Sequence, residues 1–225
     1  MRYIILSIAF ILSFQVGAQH PFNKDFWLNE SNSAIRVNDL VQDNIGYIWL
    51  AAENGVYRFN GNTFTVIADS IHQPATAIAT VGNNVWVGYA NGAIGTVVGN
   101  SIIPISIINV SPHTPILSIH TDRVGELWIC TEAGTYLVNN NIGILFDTGK
   151  GLSDNYTYNA LVMKDYALIA TDQGINVIRS NNGKIEVNAI TTKNGLPDNI
   201  VRVLKQVPGK QSFWVGTQEG GVIRL

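Results

Sequence analysis

Hydrophobic and polar positions fall into a pattern that recurs five times along the chain. Each copy opens on a bulky apolar residue and reaches a glycine six residues later. The copies are Trp49-Leu-Ala-Ala-Glu-Asn-Gly55, Trp86-Val-Gly-Tyr-Ala-Asn-Gly92, Trp128-Ile-Cys-Thr-Glu-Ala-Gly134, Leu168-Ile-Ala-Thr-Asp-Gln-Gly174 and Trp214-Val-Gly-Thr-Gln-Glu-Gly220. They start 37, 42, 40 and 46 residues apart. The run around each bulky residue, as in Tyr47-Ile-Trp-Leu-Ala-Ala52, is continuously apolar rather than alternating. That predicts a strand buried on both faces, as when one sheet is sandwiched between two others.

The flanks supply three more strands. Upstream of Trp49 and Trp128 lie the turns Asp43-Asn-Ile-Gly46 and Asp122-Arg-Val-Gly125, preceded by apolar residues at Val37 and Leu40, and at Ile116 and Ile119. The fifth copy fits the same frame with Ile200, Val203 and Gly209. After the repeated glycine comes a short third strand, Val56–Phe59 or Thr135–Val138, and then a variable fourth, Thr63–Ala68 or Lys184–Ile190. Glycine suits the second turn because tight hairpins demand positive φ, and Asn54-Gly55 and Asn91-Gly92 are favoured pairs there. Strands A to D in each copy, with a period near 40, predict an all-β protein: a β-propeller of four-stranded antiparallel blades. The tryptophans are expected to fill the wedges between blades, each ring burying about 150–250 Å². Leu168 departs from that rule and predicts a less tightly packed fourth blade. Gly151-Leu-Ser-Asp-Asn155 and Gly195-Leu-Pro-Asp-Asn199 are near-copies joining strand D of one blade to strand A of the next.

The N-terminus stands apart. Arg2, an apolar run from Tyr3 to Phe14 and the small residues Val16-Gly17-Ala18 read as a signal peptide over residues 1–18, with the propeller over 19–225. The run is short of the ~20 residues of a membrane span. Export to the periplasm is the expectation.

Ring closure has two solutions. Asp25-Phe-Trp-Leu-Asn-Glu30 can serve as the outer strand of the fifth blade, which otherwise lacks strand D, and tie five blades shut. Alternatively, the five repeats are an incomplete ring of a larger propeller. The sequence ends at Leu225, flush with a strand, which favours the larger ring.

Composition narrows the function classes. Only 13% of the 225 residues are charged and the net charge is −2, with no cluster of Lys or Arg, so nucleic acid is excluded as a partner. The single cysteine, Cys130, has no internal partner for a disulfide and matches Ala51, Gly88, Ala170 and Gly216 of the other copies; it reads as a small buried hydrophobe. The four histidines show no metal-ligand spacing, and His120, beside Ile119 in a strand A, reads as packed. No nucleophile elbow, His-Glu-x-x-His or phosphate-binding glycine loop is present. No enzyme, cofactor or metal is expected.

The stretch from Val37 through Asp43, Gly46, Trp49 and Gly55 to Phe59 resembles the two-component regulator propeller repeat, and Gly195-Leu-Pro-Asp-Asn199 is similar to that family's linker. The resemblance covers residues 25–225 and is weakest in the second copy, where Gly82-Asn-Asn84 replaces the Asp/Gly turn. It implies a seven-bladed periplasmic sensor of a Bacteroidetes-type histidine kinase or related regulator, often concerned with carbohydrate uptake, attached to the inner membrane through segments further along the gene and signalling as a homodimer. No kinase, ATP-site, receiver or DNA-binding motif occurs in these residues. The Asp-x-x-Gly-x-x-Trp stretches resemble the Asp-box turn of sialidases with different spacing, and read as structural turns.

With strand A innermost, the D–A and B–C loops share one end. The B–C loops carry Glu53, Glu132, Asp172 and Glu219, and the D–A loops add Asp154, Asn155, Asp198 and Asn199. This polar face is the candidate site for a small molecule or oligosaccharide. The leading reading is a ligand-sensing domain; a propeller lyase or glycosidase and an envelope or secretion scaffold are the alternatives.

Overall fold

The computed structural model describes Leu28 and residues 34–121, 125–181 and 183–225. The signal segment, His20, the Asp122–Val124 turn and all of Asp25–Glu30 but Leu28 lie outside the described residues. The fold is a propeller-like, nearly all-β arrangement built from successive antiparallel sheets. The first is β1 (Val37–Gln42), β2 (Ile48–Ala52), β3 (Gly55–Phe59) and β4 (Phe64–Asp69). The second is β5 (Ala75–Val81), β6 (Asn84–Tyr89), β7 (Ile94–Val98) and β8 (Ser101–Pro104). Then follow β9 (Ile116–Thr121), β10 (Leu127–Thr131), β11 (Gly134–Asn139) and β12 (Ile142–Phe146), and β13 (Thr157–Val162), β14 (Ala167–Thr171), β15 (Gly174–Asn181) and β16 (Lys184–Ile190). The last sheet has three strands, β17 (Val201–Gln206), β18 (Phe213–Thr217) and β19 (Val222–Arg224). The A-to-D order is thus the one the repeat predicts, and among the described residues the fifth unit shows strands A to C. At the rim, β4 and β8 pair in parallel through Ala68↔Ser101 and Asp69↔Ile102, which fuses the first two sheets edge to edge.

The inner strands β1, β5, β9, β13 and β17 neighbour one another in sequence order. Alternate residues of each second strand face opposite neighbours. Trp49 and Ala51 pack forward onto Ile78, Val85 and Val87 of the second sheet. Trp128 and Cys130 pack forward onto Ala167 and Ile169, and Leu168 and Ala170 onto Phe213 and Val215. Leu168 is 1% exposed, so the looser packing expected of the fourth sheet is not seen in its burial. Trp214 is the exception: it is 45% exposed, because no further sheet follows on its side among the described residues. Cys130 is fully buried, and burial pushes its thiol pKa up.

The Asp-to-Trp spacing of six has a direct cause. Asp43 accepts the backbone N–H of Tyr47 (2.9 Å) and of Ile45 (3.1 Å) on one oxygen and the indole N–H of Trp49 (2.8 Å) on the other. The aspartate is a turn former, as read from sequence. Among the described residues, the buried indole N–H groups of Trp86, whose sheet has no aspartate in that place, and of Trp128 have no hydrogen-bond partner. Three glycines of the B–C turns, Gly92, Gly134 and Gly174, answer to space as well as to φ. Gly134 sits at φ 120°, and a Cβ there would lie 2.4 Å from the Phe146 carbonyl oxygen. In the fifth copy Gly221 (φ 74°), not Gly220, carries the positive φ.

Lateral bonds stitch the inner strands. Asp39 accepts the Ile78 N–H at 2.9 Å, and Asn159 accepts the Leu204 N–H at 3.0 Å, from equivalent places in the first and fourth inner strands. Burial pushes the Asp39 carboxyl pKa up, against the lowering effect of the Ile78 and Leu40 N–H groups.

Candidate functional site

Each inner strand begins opposite the end of its own second strand: Val37↔Ala52, Ala75↔Tyr89, Ile116↔Thr131, Thr157↔Thr171 and Val201↔Thr217. The D–A linkers and B–C turns therefore do share one end of the sheets. All five pairs also carry a register shift at the second residue of the inner strand. The extra residue is Asn38, Thr76, Leu117, Tyr158 or Arg202. A bulge leaves one residue out of the ladder and re-aims its side chain, so the fold repeats one freed side chain at the same level of every sheet.

In the fourth and fifth sheets these freed side chains meet. The Arg202 guanidinium carbon lies 4.0 Å from the Tyr158 ring centroid, and the guanidinium also donates to the Gln218 amide oxygen. The Tyr158 hydroxyl donates to Asp172 at 2.7 Å. Tyr156, two residues earlier in the linker, lies ring to ring with Tyr158 at 4.7 Å and donates its hydroxyl to Glu132 at 3.0 Å. Six side chains from three consecutive sheets thus form one half-buried to exposed cluster.

The linker is held rigidly beneath it. Leu152 is buried, Asp147 caps a short 3-10 turn that ends on Gly151 (φ 97°), and Asn155 accepts the Thr148 N–H at 2.8 Å. Buried Asn176 accepts the Ser153 N–H (2.9 Å) and donates to the Ser153 hydroxyl (2.8 Å). Asp154 accepts the Tyr156 N–H at 2.7 Å, which aims that ring. The near-copy linker repeats the plan, with Leu196 buried and Asn199 accepting the Thr192 N–H at 2.9 Å.

The six acids expected to line this face fall into four placements. Glu132 and Asp172 belong to the tyrosine–arginine cluster. Asp154 and Asp198 make turns: Asp198 accepts the Glu219 N–H (3.0 Å) and the Ile200 N–H (3.2 Å), and these bonds hold its carboxyl below the usual range. Glu219 is exposed and stands one residue beyond Gln218, which occupies the place that Glu132 and Asp172 hold in their own turns. Glu53 accepts the Arg36 N–H at 3.3 Å and lines a separate cleft of about 450 Å³ with Asp69, His72 and Gln73, between the first sheet and the linker that leads to the second. Sequence reading missed Tyr156, Tyr158, Arg202 and Gln218.

Both phenols are pushed above their usual pKa, by burial first and then by the carboxylate each one bonds. They stay protonated near neutrality. His120 lies further along β9, bonded to Ser118 (3.0 Å) and Asn159 (3.1 Å); burial, with Lys205 adding repulsion, lowers its pKa to about 4. No group of three or more His, Cys, Asp or Glu among the described residues is placed to hold a metal.

No family model and no curated protein sequence matches the chain. Solved structures do. The chain is similar to the extracellular domain of the putative hybrid two-component system BT3049 from B. thetaiotaomicron, with TM-score 0.72 and 17% identity over 88% of this chain and 28% of that one. The extracellular domain of BT4673 from the same organism gives TM-score 0.69 and 19% identity over 86% and 27%. Virginiamycin B lyase from Staphylococcus aureus gives TM-score 0.60 and 13% identity over 83% and 68%. The chain spans little more than a quarter of the two Bacteroides domains. At these identities the likeness shows the fold, and the fold accommodates both extracellular domains of two-component systems and an enzyme. No helix among the described residues is long and apolar enough to cross a membrane.

Proposed function

We propose that this chain is an extracytoplasmic, periplasmic ligand-sensing module of a two-component regulator, and that it reads a saccharide at the Tyr156–Tyr158–Arg202 cluster. The observation that carries the reading is the pair of tyrosine rings 4.7 Å apart, each fixed by a carboxylate from a different B–C turn. An aromatic platform offers an apolar face to sugar C–H groups. Each carboxylate has about four acceptor sites, of which the phenol takes one, leaving the others for sugar hydroxyls. A few fixed polar groups around an aromatic surface are the usual make-up of a small-molecule site. Likeness to the BT3049 and BT4673 extracellular domains supports the sensor part of the reading.

Neither phenol of the cluster is poised as a general base. A general base works best with a pKa near the operating pH, whereas both phenols are displaced upward and away from it. Binding rather than turnover is the proposed activity.

The test is calorimetric titration of the purified chain with a panel of neutral and acidic oligosaccharides. Binding that is lost in both Tyr158→Ala and the Glu132→Gln/Asp172→Asn double variant, with unchanged circular dichroism, supports the reading. Glu53→Gln is expected to bind normally, because Glu53 lies in a different cleft. Absence of binding across the panel, or binding indifferent to Tyr158→Ala, overturns it.

A further inference from the structure

The saccharide reading leaves one member of the cluster without a task. Arg202 is exposed and emerges from the bulge of β17. Its guanidinium lies over Tyr158 at 4.0 Å and gives one contact to the Gln218 oxygen. A guanidinium has five N–H donors in a rigid planar fork, so most of them remain for a ligand. Stacking on an aromatic face fixes the plane while leaving the edge free, and the edge is the part that binds a carboxylate through two parallel bonds.

The surroundings hold that edge in place. Tyr158 is immobilised by the Asp172 bond and by Tyr156, and Gln218 restrains the guanidinium from its own B–C turn. Glu132 and Asp172 are negative, which opposes an anion, but each is turned toward a tyrosine hydroxyl. Both phenol pKa values are raised by burial and by the carboxylates, and Arg202 opposes part of that rise at each, so its charge reaches both rings. It is the one cation in this six-residue cluster. The bulge residues of the first three sheets, Asn38, Thr76 and Leu117, carry no charge, and two of them are occupied within the fold: Asn38 donates to the Ala75 carbonyl and Thr76 to the Gly88 carbonyl.

We infer that Arg202 is a specificity-determining residue, and that the saccharide carries a carboxylate: a uronic acid whose acid group sits on the guanidinium edge while its ring lies along the tyrosines. This inference rests on the saccharide reading above and adds the charge of the ligand to it.

The experiment compares oligogalacturonate and oligoglucuronate trimers with their fully methyl-esterified, uncharged counterparts by calorimetry on the purified chain. At least one acid trimer is expected to bind about tenfold or more tightly than its ester, the scale of a charge-assisted bidentate contact. In Arg202→Gln the acid and ester affinities are expected to fall within about twofold of each other. Arg202→Lys, which keeps the charge and loses the fork, is expected to retain only part of the preference. Tighter binding of the esters, or an acid preference unchanged in Arg202→Gln, overturns the inference and leaves the saccharide reading standing. Failure of every acid and ester trimer to bind, with neutral oligosaccharides bound, overturns the inference alone. Failure of all saccharides overturns both.

Discussion

The Asp43 carboxylate holds the indole N–H of Trp49 at 2.8 Å while its other oxygen closes the preceding turn on Tyr47 and Ile45. One side chain therefore sets both the hairpin and the orientation of the ring that wedges into the next sheet. Asp43→Ala is expected to cost about 1–3 kcal/mol, the penalty for stranding a buried donor. Urea unfolding followed by tryptophan fluorescence checks it. A loss below about 0.5 kcal/mol, the range of ordinary surface substitutions, means the turn does not depend on this carboxylate.

Tryptophans in equivalent places are expected to differ sharply. Trp128 is 5% exposed and Trp214 is 45% exposed. Trp128→Ala is expected to lose about 3–5 kcal/mol, as for other buried aromatic truncations, and Trp214→Ala under about 1 kcal/mol. Acrylamide is expected to quench Trp214 and spare Trp128 when each is the sole tryptophan left. Equal losses and equal quenching contradict the placement.

His120 gives stability a pH dependence on the acid side. Its pKa is lowered to about 4 in the folded protein from an ordinary 6.5. Below 6.5 the unfolded chain takes up the proton that the folded chain refuses, so this contribution is complete above pH 6.5 and lost as pH falls toward 4. The shift corresponds to about 3 kcal/mol at most. His120→Gln is expected to flatten the unfolding free energy between pH 6.5 and 4. A slope identical to that of the native chain rules out the assignment.

The tyrosine pair acts on the alkaline side. Burial and the carboxylate bonds raise both phenol pKa values in the folded state. Their contribution is present below the unfolded pKa, about 10, and is lost as pH rises above it. Ultraviolet difference titration is expected to show Tyr158 ionising only with alkaline unfolding, and Tyr158→Phe to lessen the stability lost above pH 10. Free ionisation of every tyrosine near pH 10 in the folded chain contradicts the hydroxyl–carboxylate pairing.

The architecture was legible in the sequence because it is written in local spacings. Six residues from Trp to Gly reflect the length of one strand and its turn, and in the first copy the six from Asp43 to Trp49 reflect a single side chain reaching both turn and ring. Gly151-Leu-Ser-Asp-Asn155 and Gly195-Leu-Pro-Asp-Asn199 fold alike, with Leu152 and Leu196 buried and Asn155 and Asn199 making the same bond. The site was less legible. Acids in B–C turns were visible as acids, but whether one meets a partner is settled by the neighbouring sheet. Glu132 finds Tyr156 24 residues away, whereas Glu53 contacts a backbone N–H in its own sheet. Tyr158 and Arg202 occupy strand positions whose counterparts are Asn38, Thr76 and Leu117, so no shared residue type marked them. The available signal was positional: the second residue of each strand A, compared down the five copies.

That position has an evolutionary consequence. A residue released from the ladder can change size, charge or aromaticity without unmaking the pairing of the strand on either side of it. Successive sheets then act as independently editable addresses around a common rim, and a duplicated gene can acquire a new chemical taste by point substitution while its framework stays intact.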